Sequence, residues 1–428
     1  MTTLRFLFLG FLSGCIAPAS SGGDGDSATD GGDSDSDVDV DADTDGDTDT
    51  DSCLAADADG DGHDAAACGG DDCDDADSAR HPGAPDAPRT VDVIAEAAYS
   101  PALVVDADDV VHALYDHHWD SPRHAWWEGG EWRAEDIGGA LAGAEAELVY
   151  SDGALHAIVM DESLYHATNA SGAWELELLS YDARYSSHTA IAVDGDALHI
   201  ATFRPYFPLQ VTTLEDGSST TESLGDEQAW CRSAIAVDPD GVAHVIWGAY
   251  GLMYASNASG DWTWEAVPAG GRGEGSSMQV DADGALHVAT ADAAGLDDRT
   301  DDRLLYLTLP AGGEWAVEEV DVDMYWERGR LMAGERPSLG LGPDGRVHVA
   351  YHDATHADLV WAVRGPEGGW TKTVLYDEGA TGYEPSLAID SAGVVHVAFV
   401  DDASLEVRRI SFQPDGVDDD CDGTADEG

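Results

Sequence analysis

One phrase recurs seven times between residues 89 and 412, and nothing else in the chain constrains its fold as tightly. The copies read "ALVVDADDVVHALYD", "ELVYSDGALHAIVMD", "AIAVDGDALHIATF", "AIAVDPDGVAHVIW", "MQVDADGALHVATAD", "LGLGPDGRVHVAYHD" and "LAIDSAGVVHVAFVD". Each is an alternating apolar strand, a tight Asp/Gly turn, and a second strand with a histidine near its start. Those histidines are His112, His156, His199, His244, His287, His348 and His396, at steps of 44, 43, 45, 43, 61 and 48 residues. Period-two alternation makes strands, and this spacing is the length of a four-stranded propeller blade. A third strand follows in most copies ("RHAWWE", "LYHAT", "LMYAS", "LLYLT", "LVWAV"). After a Gly-rich turn comes a fourth, starting at Trp132, Trp174, Trp262, Trp315 or Trp370. The prediction is an all-β, seven-bladed β-propeller of four-stranded blades.

The seventh copy runs out after its third strand, "LEVRRISF". A fourth strand is available at the other end of the repeat region, as "RTVDVI" over 89–94. Pairing the two segments in one blade closes the ring and removes its open sheet edges. Closure also brings residues 88 and 413 together, so the acidic segments that flank the repeats are expected to meet.

Acidity is concentrated outside the repeats. The 428 residues carry a net charge of −67, yet 43% are hydrophobic, enough for a large core. Residues 20–52 are almost all Asp, Gly, Ser and Thr. With nothing to bury, this stretch is predicted to be a disordered tether, reaching roughly 35 Å as a flexible coil. Lys372 is the only lysine, which argues against a nucleic-acid partner because phosphate backbones need positive charge.

The first residues, "MTTLRFLFLGFLSGC", combine Arg5, a short apolar run and a small-residue site before Cys15. This is a secretory signal rather than a membrane span. Leu12-Ser13-Gly14-Cys15 resembles the bacterial lipoprotein lipobox. The resemblance implies lipidation of Cys15, attachment to the membrane through that lipid alone and, with Ile16 rather than Asp next, the outer membrane. Either the cell surface or the periplasmic side fits. The expected organisation is a signal peptide over 1–14, the lipidated Cys and tether over 15–52, a metal-binding module in two parts over 53–88 and 413–428, and the propeller over 89–412.

Asp57, Asp59 and Asp61, with Gly60 and Gly62, begin a calcium loop, since alternate carboxylates converge on one hard cation while glycine permits the bend. The twelfth position is Cys68 rather than Glu, which rules out a complete EF-hand. The stretch is similar to the Asp-rich loops of thrombospondin type 3 repeats. "DDCDDADSARHPGAPD" and "PDGVDDDCDGTADEG" together resemble the MopE-type metal-binding motif. That resemblance implies Asp72, Asp74, Asp75, Asp77, Asp418, Asp420 and Asp422 as further ligands. Calcium is expected ahead of copper, because copper prefers imidazole or sulfur and only His63 and His81 offer nitrogen here. Pro414 stands where the family has a cysteine, and Asp419 where it has Asn. The family disulfide using that cysteine cannot form. Cys421 is then expected to pair with Cys73 or Cys68, leaving Cys231 as a free thiol.

The turns between first and second and between third and fourth strands are tight. The second-to-third loops and the crossovers between blades are longer and variable, and strand polarity places both on one face. Variable segments on one face of a repeat scaffold mark a binding surface. The candidates there are Trp119, Arg204, Tyr206, Trp230, Arg232, Tyr250, Trp326, Arg336, His352 and Tyr383. Aromatics mixed with a few arginines suit a glycan or a protein ligand. The seven repeated histidines are expected to be structural, and the repeated tryptophans to be packing anchors between blades. A secreted hydrolase or lyase of sialidase type is the alternative, because sialidases also repeat an Asp/Gly turn between blade strands. Their Ser-x-Asp-x-Gly-x-x-Trp box is not met, since Asp238-Pro-Asp-Gly241 is shifted by one. No Gly-x-Ser-x-Gly or His-Glu-x-x-His appears either. Those absences favour a binding module.

Overall fold

The computed structural model describes residues 89–414 except 118–121, 139–144, 161–162, 181–188, 196, 203–206, 216–217, 226–228, 230–232, 250, 270–272, 274, 293–302, 323–336, 354, 366–367 and 380. Every regular element among the described residues is a strand. Seven four-stranded antiparallel sheets form seven blades. Blade 1 runs Ala98–Val105, Val111–His117, Arg123–Glu128 and Glu131–Asp136. Blades 2 to 6 cover 145–180, 189–224, 234–266, 276–322 and 338–376. Blade 7 takes Tyr383–Ile389, Val395–Asp401 and Glu406–Phe412 from one end of the repeat region and Thr90–Glu96 from the other. Thr90 lies opposite Ser411, and Glu96 opposite Glu406. The predicted ring closure is therefore present. The first strand of each blade contacts the first strand of the next, and blade 7 contacts blade 1.

The Asp/Gly turn is set by one side chain. In blades 1, 4, 5 and 7 the first Asp of the turn (Asp106, Asp238, Asp281, Asp390) accepts two backbone N–H bonds through Oδ1. The donors lie two and four residues ahead, at 2.8–3.0 Å. Gly241, Gly284 and Gly393 close these turns with φ of 79°, 79° and 87°, a region costly for other residues. Its second oxygen faces the repeated histidine six residues on, at 3.1 Å for His112, 3.2 Å for His244 and His287 and 3.6 Å for His396. Fixing the turn thus also fixes the imidazole.

Burial explains the sequence pattern of the strands. Second strands such as Val395–Asp401 are buried throughout, because both of their faces meet neighbouring blades. Outer strands such as Ala316–Val322 are mostly exposed. The core therefore lies between blades. One cluster joins Leu209, Val211 and Leu224 of blade 3 to Val245, Trp247 and Trp262 of blade 4. The outer-strand tryptophans do pack across blades. Trp174 meets His124 of blade 1, Trp315 meets Tyr254 of blade 4, and Trp370 meets Tyr306 of blade 5, each edge-on at 5.3 Å. Near the centre, Ser277, Ser338 and Ser386 each accept the backbone N–H of a leucine in the next blade, at 3.1, 2.9 and 2.8 Å. These bonds satisfy inner-edge donors that no strand pairs.

Candidate functional site

The loop face carries the second-to-third connections and the crossovers. Four of those connections are shorter than the sequence suggests: 161–163, 249–251, 354–357 and 402–405. The second-to-third connections of blades 1, 3 and 5 (118–122, 203–208 and 293–302) are longer. Of the ten residues proposed for this face, Trp119, Arg204, Tyr206, Trp230, Arg232, Tyr250, Trp326 and Arg336 lie outside the described residues. So do Cys15, the other cysteines and all ten proposed metal ligands, from Asp57, Asp59 and Asp61 to Asp422. His352 and Tyr383 are described, and the fold brings them together.

His352 is the penultimate residue of the second strand of blade 6, and Tyr383 begins the first strand of blade 7. Their rings stack with centroids 4.3 Å apart and planes inclined by 29°. A bulge aims the tyrosine. Pairing jumps from Tyr383 opposite Val400 to Ser386 opposite Ala398, and Glu384 sits at φ 52° directly before Pro385. Left-handed backbone is costly for a non-glycine residue, and a following proline restricts it further. Blade 1 repeats the device at Tyr99, Ser100 (φ 50°) and Pro101. Strained backbone of this kind collects at binding sites.

His352 is 4% exposed, and its Nδ1 is buried without a hydrogen-bond partner. Burial lowers its pKa, opposed by hydrogen bonds to the backbone of Thr381 and Asp358 and by the Asp353 charge. Beside it, Asp353 accepts the Thr355 N–H at 2.7 Å and meets His356 Nδ1 at 2.7 Å. The Asp353 hydrogen bond and charge raise the pKa of exposed His356, while burial and the Asp353 charge raise that of Asp358. At neutral pH this corner offers a buried neutral imidazole, an aromatic ring and carboxylates at one rim.

Elsewhere on the face, two arginines near the start of third strands meet acids that end second strands, Arg303 as the first residue of its strand and Arg408 as the third. Arg303 meets Asp292 at 2.9 Å in blade 5, and Arg408 meets Asp401 at 3.2 Å in blade 7. Arg408 also donates to the Tyr376 hydroxyl at 2.8 Å. Sequence reasoning passed over these pairs, although in both blades an Asp stands five residues after the repeated His, as Asp292 after His287 and Asp401 after His396. Among the buried polar atoms without partners, Thr189 Oγ1, Ser233 Oγ, Asp292 Oδ1 and His352 Nδ1 lie at this end of the strands, while the Trp315, Trp361 and Trp370 indole nitrogens and ring nitrogens of His348 and His396 lie elsewhere in the blades. A closed interior leaves few such atoms. Among the described residues no group of three or more His, Cys, Asp or Glu side chains is arranged to hold a metal ion.

The repeated histidines lie nearer the opposite end, and those of blades 1 to 5 are paired within their blades, while His348 Nδ1 and both nitrogens of His396 are buried without hydrogen-bond partners. His244 and His287 bond through Nδ1 to the Tyr254 and Tyr306 hydroxyls at 2.7 and 2.6 Å. His199 meets Thr213 at 3.1 Å, and His156 meets His166 at 3.1 Å. Their geometry is that of internal supports.

No family model and no curated protein sequence matches the chain. Solved structures do. A protein of unknown function from Dyadobacter fermentans DSM 18053 is 14% identical, over 77% of this chain and 98% of its own, with a TM-score of 0.46. An Aleuria aurantia lectin mutant, solved with Fucalpha1-6GlcNAc, is 10% identical over 67% of this chain and 98% of its own, at 0.45. The NanB sialidase of Streptococcus pneumoniae is 12% identical over 75% and 69%, at 0.41. With TM-scores this low, assignment of this chain as a seven-bladed propeller rests on its own strand order.

Proposed function

We propose that the chain is an envelope-anchored lipoprotein whose propeller binds a glycan or protein ligand on its loop face. An acidic calcium module would stand at the ring closure. The observation that supports the binding reading is the His352–Tyr383 stack at a strained bulge, beside the unpartnered buried Nδ1 of His352. An aromatic ring beside polar groups suits the apolar face and hydroxyls of a sugar, or the side chains of a peptide. The calcium reading draws on the acidic sequences and on the pairing of Thr90 with Ser411, since both acidic arms leave the propeller from the same blade. Anchoring through Cys15 follows from the lipobox resemblance.

The test uses the full chain carrying Cys15→Ala, applied to an array of glycans and cell-envelope polymers in calcium and in chelator. Supernatants are assayed for released product. Retention without product supports the binding reading. Released product would replace it with a hydrolase or lyase, and absence of retention on every polymer would leave a protein ligand as the partner to seek.

A further inference from the structure

Blade 1 holds a hydrogen-bond chain whose proton count does not close with neutral rings. Asp106 Oδ2 meets His112 Nε2 at 3.1 Å, His112 Nδ1 meets His124 Nε2 at 2.9 Å, and His124 Nδ1 meets Glu135 Oε1 at 3.1 Å. An ionised carboxylate only accepts, so each end contact requires a ring N–H. The central contact requires a third hydrogen. Two neutral imidazoles carry two N–H groups between them. Without an additional proton, one of the three contacts sets acceptor against acceptor.

Other blades show that this is particular to blade 1. In blades 4 and 5 the histidine's second nitrogen faces a tyrosine, whose hydroxyl brings its own hydrogen, so a neutral ring completes the chain. In blade 2, His156 and His166 share one contact, which one N–H satisfies. Blade 1 instead has a second imidazole in place of the tyrosine, and a carboxylate behind it.

We infer that His112 and His124 together form a binding site for a single proton, shared between the two rings and enclosed by the carboxylates of Asp106 and Glu135. The charges around the pair fit. Trp126 stacks on His124 at 5.3 Å, and blade 2 presents the aromatic side chains of Trp174, Tyr150 and Tyr165 to this interface. The turn adds two more acids, Asp108 and Asp109, and Asp109 is engaged by Ser391 of blade 7. Arg133 on the outer strand pairs with Glu128 and Glu131. Two carboxylates favour the first proton. A second is refused: burial holds His124 down to about 4, against the Glu135 hydrogen bond, and repulsion from His112 adds to the effect.

The proton has a mechanical consequence. Glu135 Oε1 also accepts the Trp174 indole N–H of blade 2 at 3.0 Å. With the proton bound, an unbroken chain runs from the blade 1 turn through both rings to the outer strand of blade 2. Because the contacts close only with this proton bound, the linkage is present below the pair's transition. It is lost as pH rises through it.

The test is long-range 15N–1H spectroscopy of the imidazoles in the full chain carrying Cys15→Ala, between about pH 5 and 9. The expected result is three N–H groups on the two rings at the acid end, falling to two as pH rises through a single transition. Glu135→Gln supplies an amide N–H to His124 Nδ1 and closes the count without the proton. It should show two N–H groups throughout, and the melting-temperature gap between it and the parent should change across the transition. Two N–H groups in the parent at every pH, or a gap that stays constant, would overturn the inference.

Discussion

Arg409 and Asp92, from opposite ends of the propeller sequence, meet across the seam of blade 7 at 2.7 Å. Arg409 is 3% exposed, and its guanidinium lies over Trp127 at 4.2 Å and Trp132 at 4.9 Å, both in blade 1. Trp132 donates its indole N–H to the same aspartate. One buried cation thus joins the last repeat, the first strand and the neighbouring blade.

Arg409→Ala should therefore be among the most damaging single changes. Leaving the Asp92 charge with the Trp132 N–H but no cation, at a seam where Arg409 is buried, costs about 3–5 kcal/mol. Arg133→Ala, which removes only exposed pairs at 3.8 Å, should stay within about 0.5 kcal/mol. Denaturant unfolding of both variants measures the difference.

Tyr306→Phe removes the hydroxyl that faces His287 at 2.6 Å. His287 keeps its bond to Asp281 but loses the donor to Nδ1, an expected loss of about 1–2 kcal/mol. A lower urea midpoint with an unchanged slope would register it.

Acid should loosen the ring through its buried neutral histidines. Burial, with Arg346 adding and Asp344 opposing, pulls His348 down to about 4. The unfolded chain then binds more protons below the ordinary value of about 6.5, so stability is complete above that pH. It falls as pH drops towards 4, by about 3 kcal/mol for this residue. His348→Gln should flatten part of the decline in melting temperature between those two values.

If the acidic module binds calcium and braces the closure, chelation should lower the melting temperature of the full chain. Occupancy at a hundred times Kd is worth about 2.7 kcal/mol. Asp59→Ala should reproduce part of the loss in calcium and add little in chelator. Equal melting curves in calcium and chelator would make the module a solvated spacer.

How much of this was legible in the sequence depends on whether a feature repeats. Asp238, Gly241 and His244 recur in register, so strand, turn and blade follow from counting, and the missing fourth strand of the last repeat pointed to Thr90–Glu96. The His352–Tyr383 contact does not repeat. It depends on how one blade leans on the next and on a bulge at Glu384 that alternation cannot encode. The proton deficit of blade 1 was equally hidden. His112 lies directly opposite Trp126, and its ring reaches His124 only through a diagonal cross-strand contact.

The most direct test of the loop face as a binding surface compares affinities for the strongest array ligand. The proteins are the Cys15→Ala chain with and without Tyr383→Ala. Loss of the stacked ring should weaken binding about tenfold, equivalent to about 1.4 kcal/mol, while the blades remain folded by circular dichroism. Unchanged affinity in a folded Tyr383→Ala protein would contradict the placement of the site at this corner.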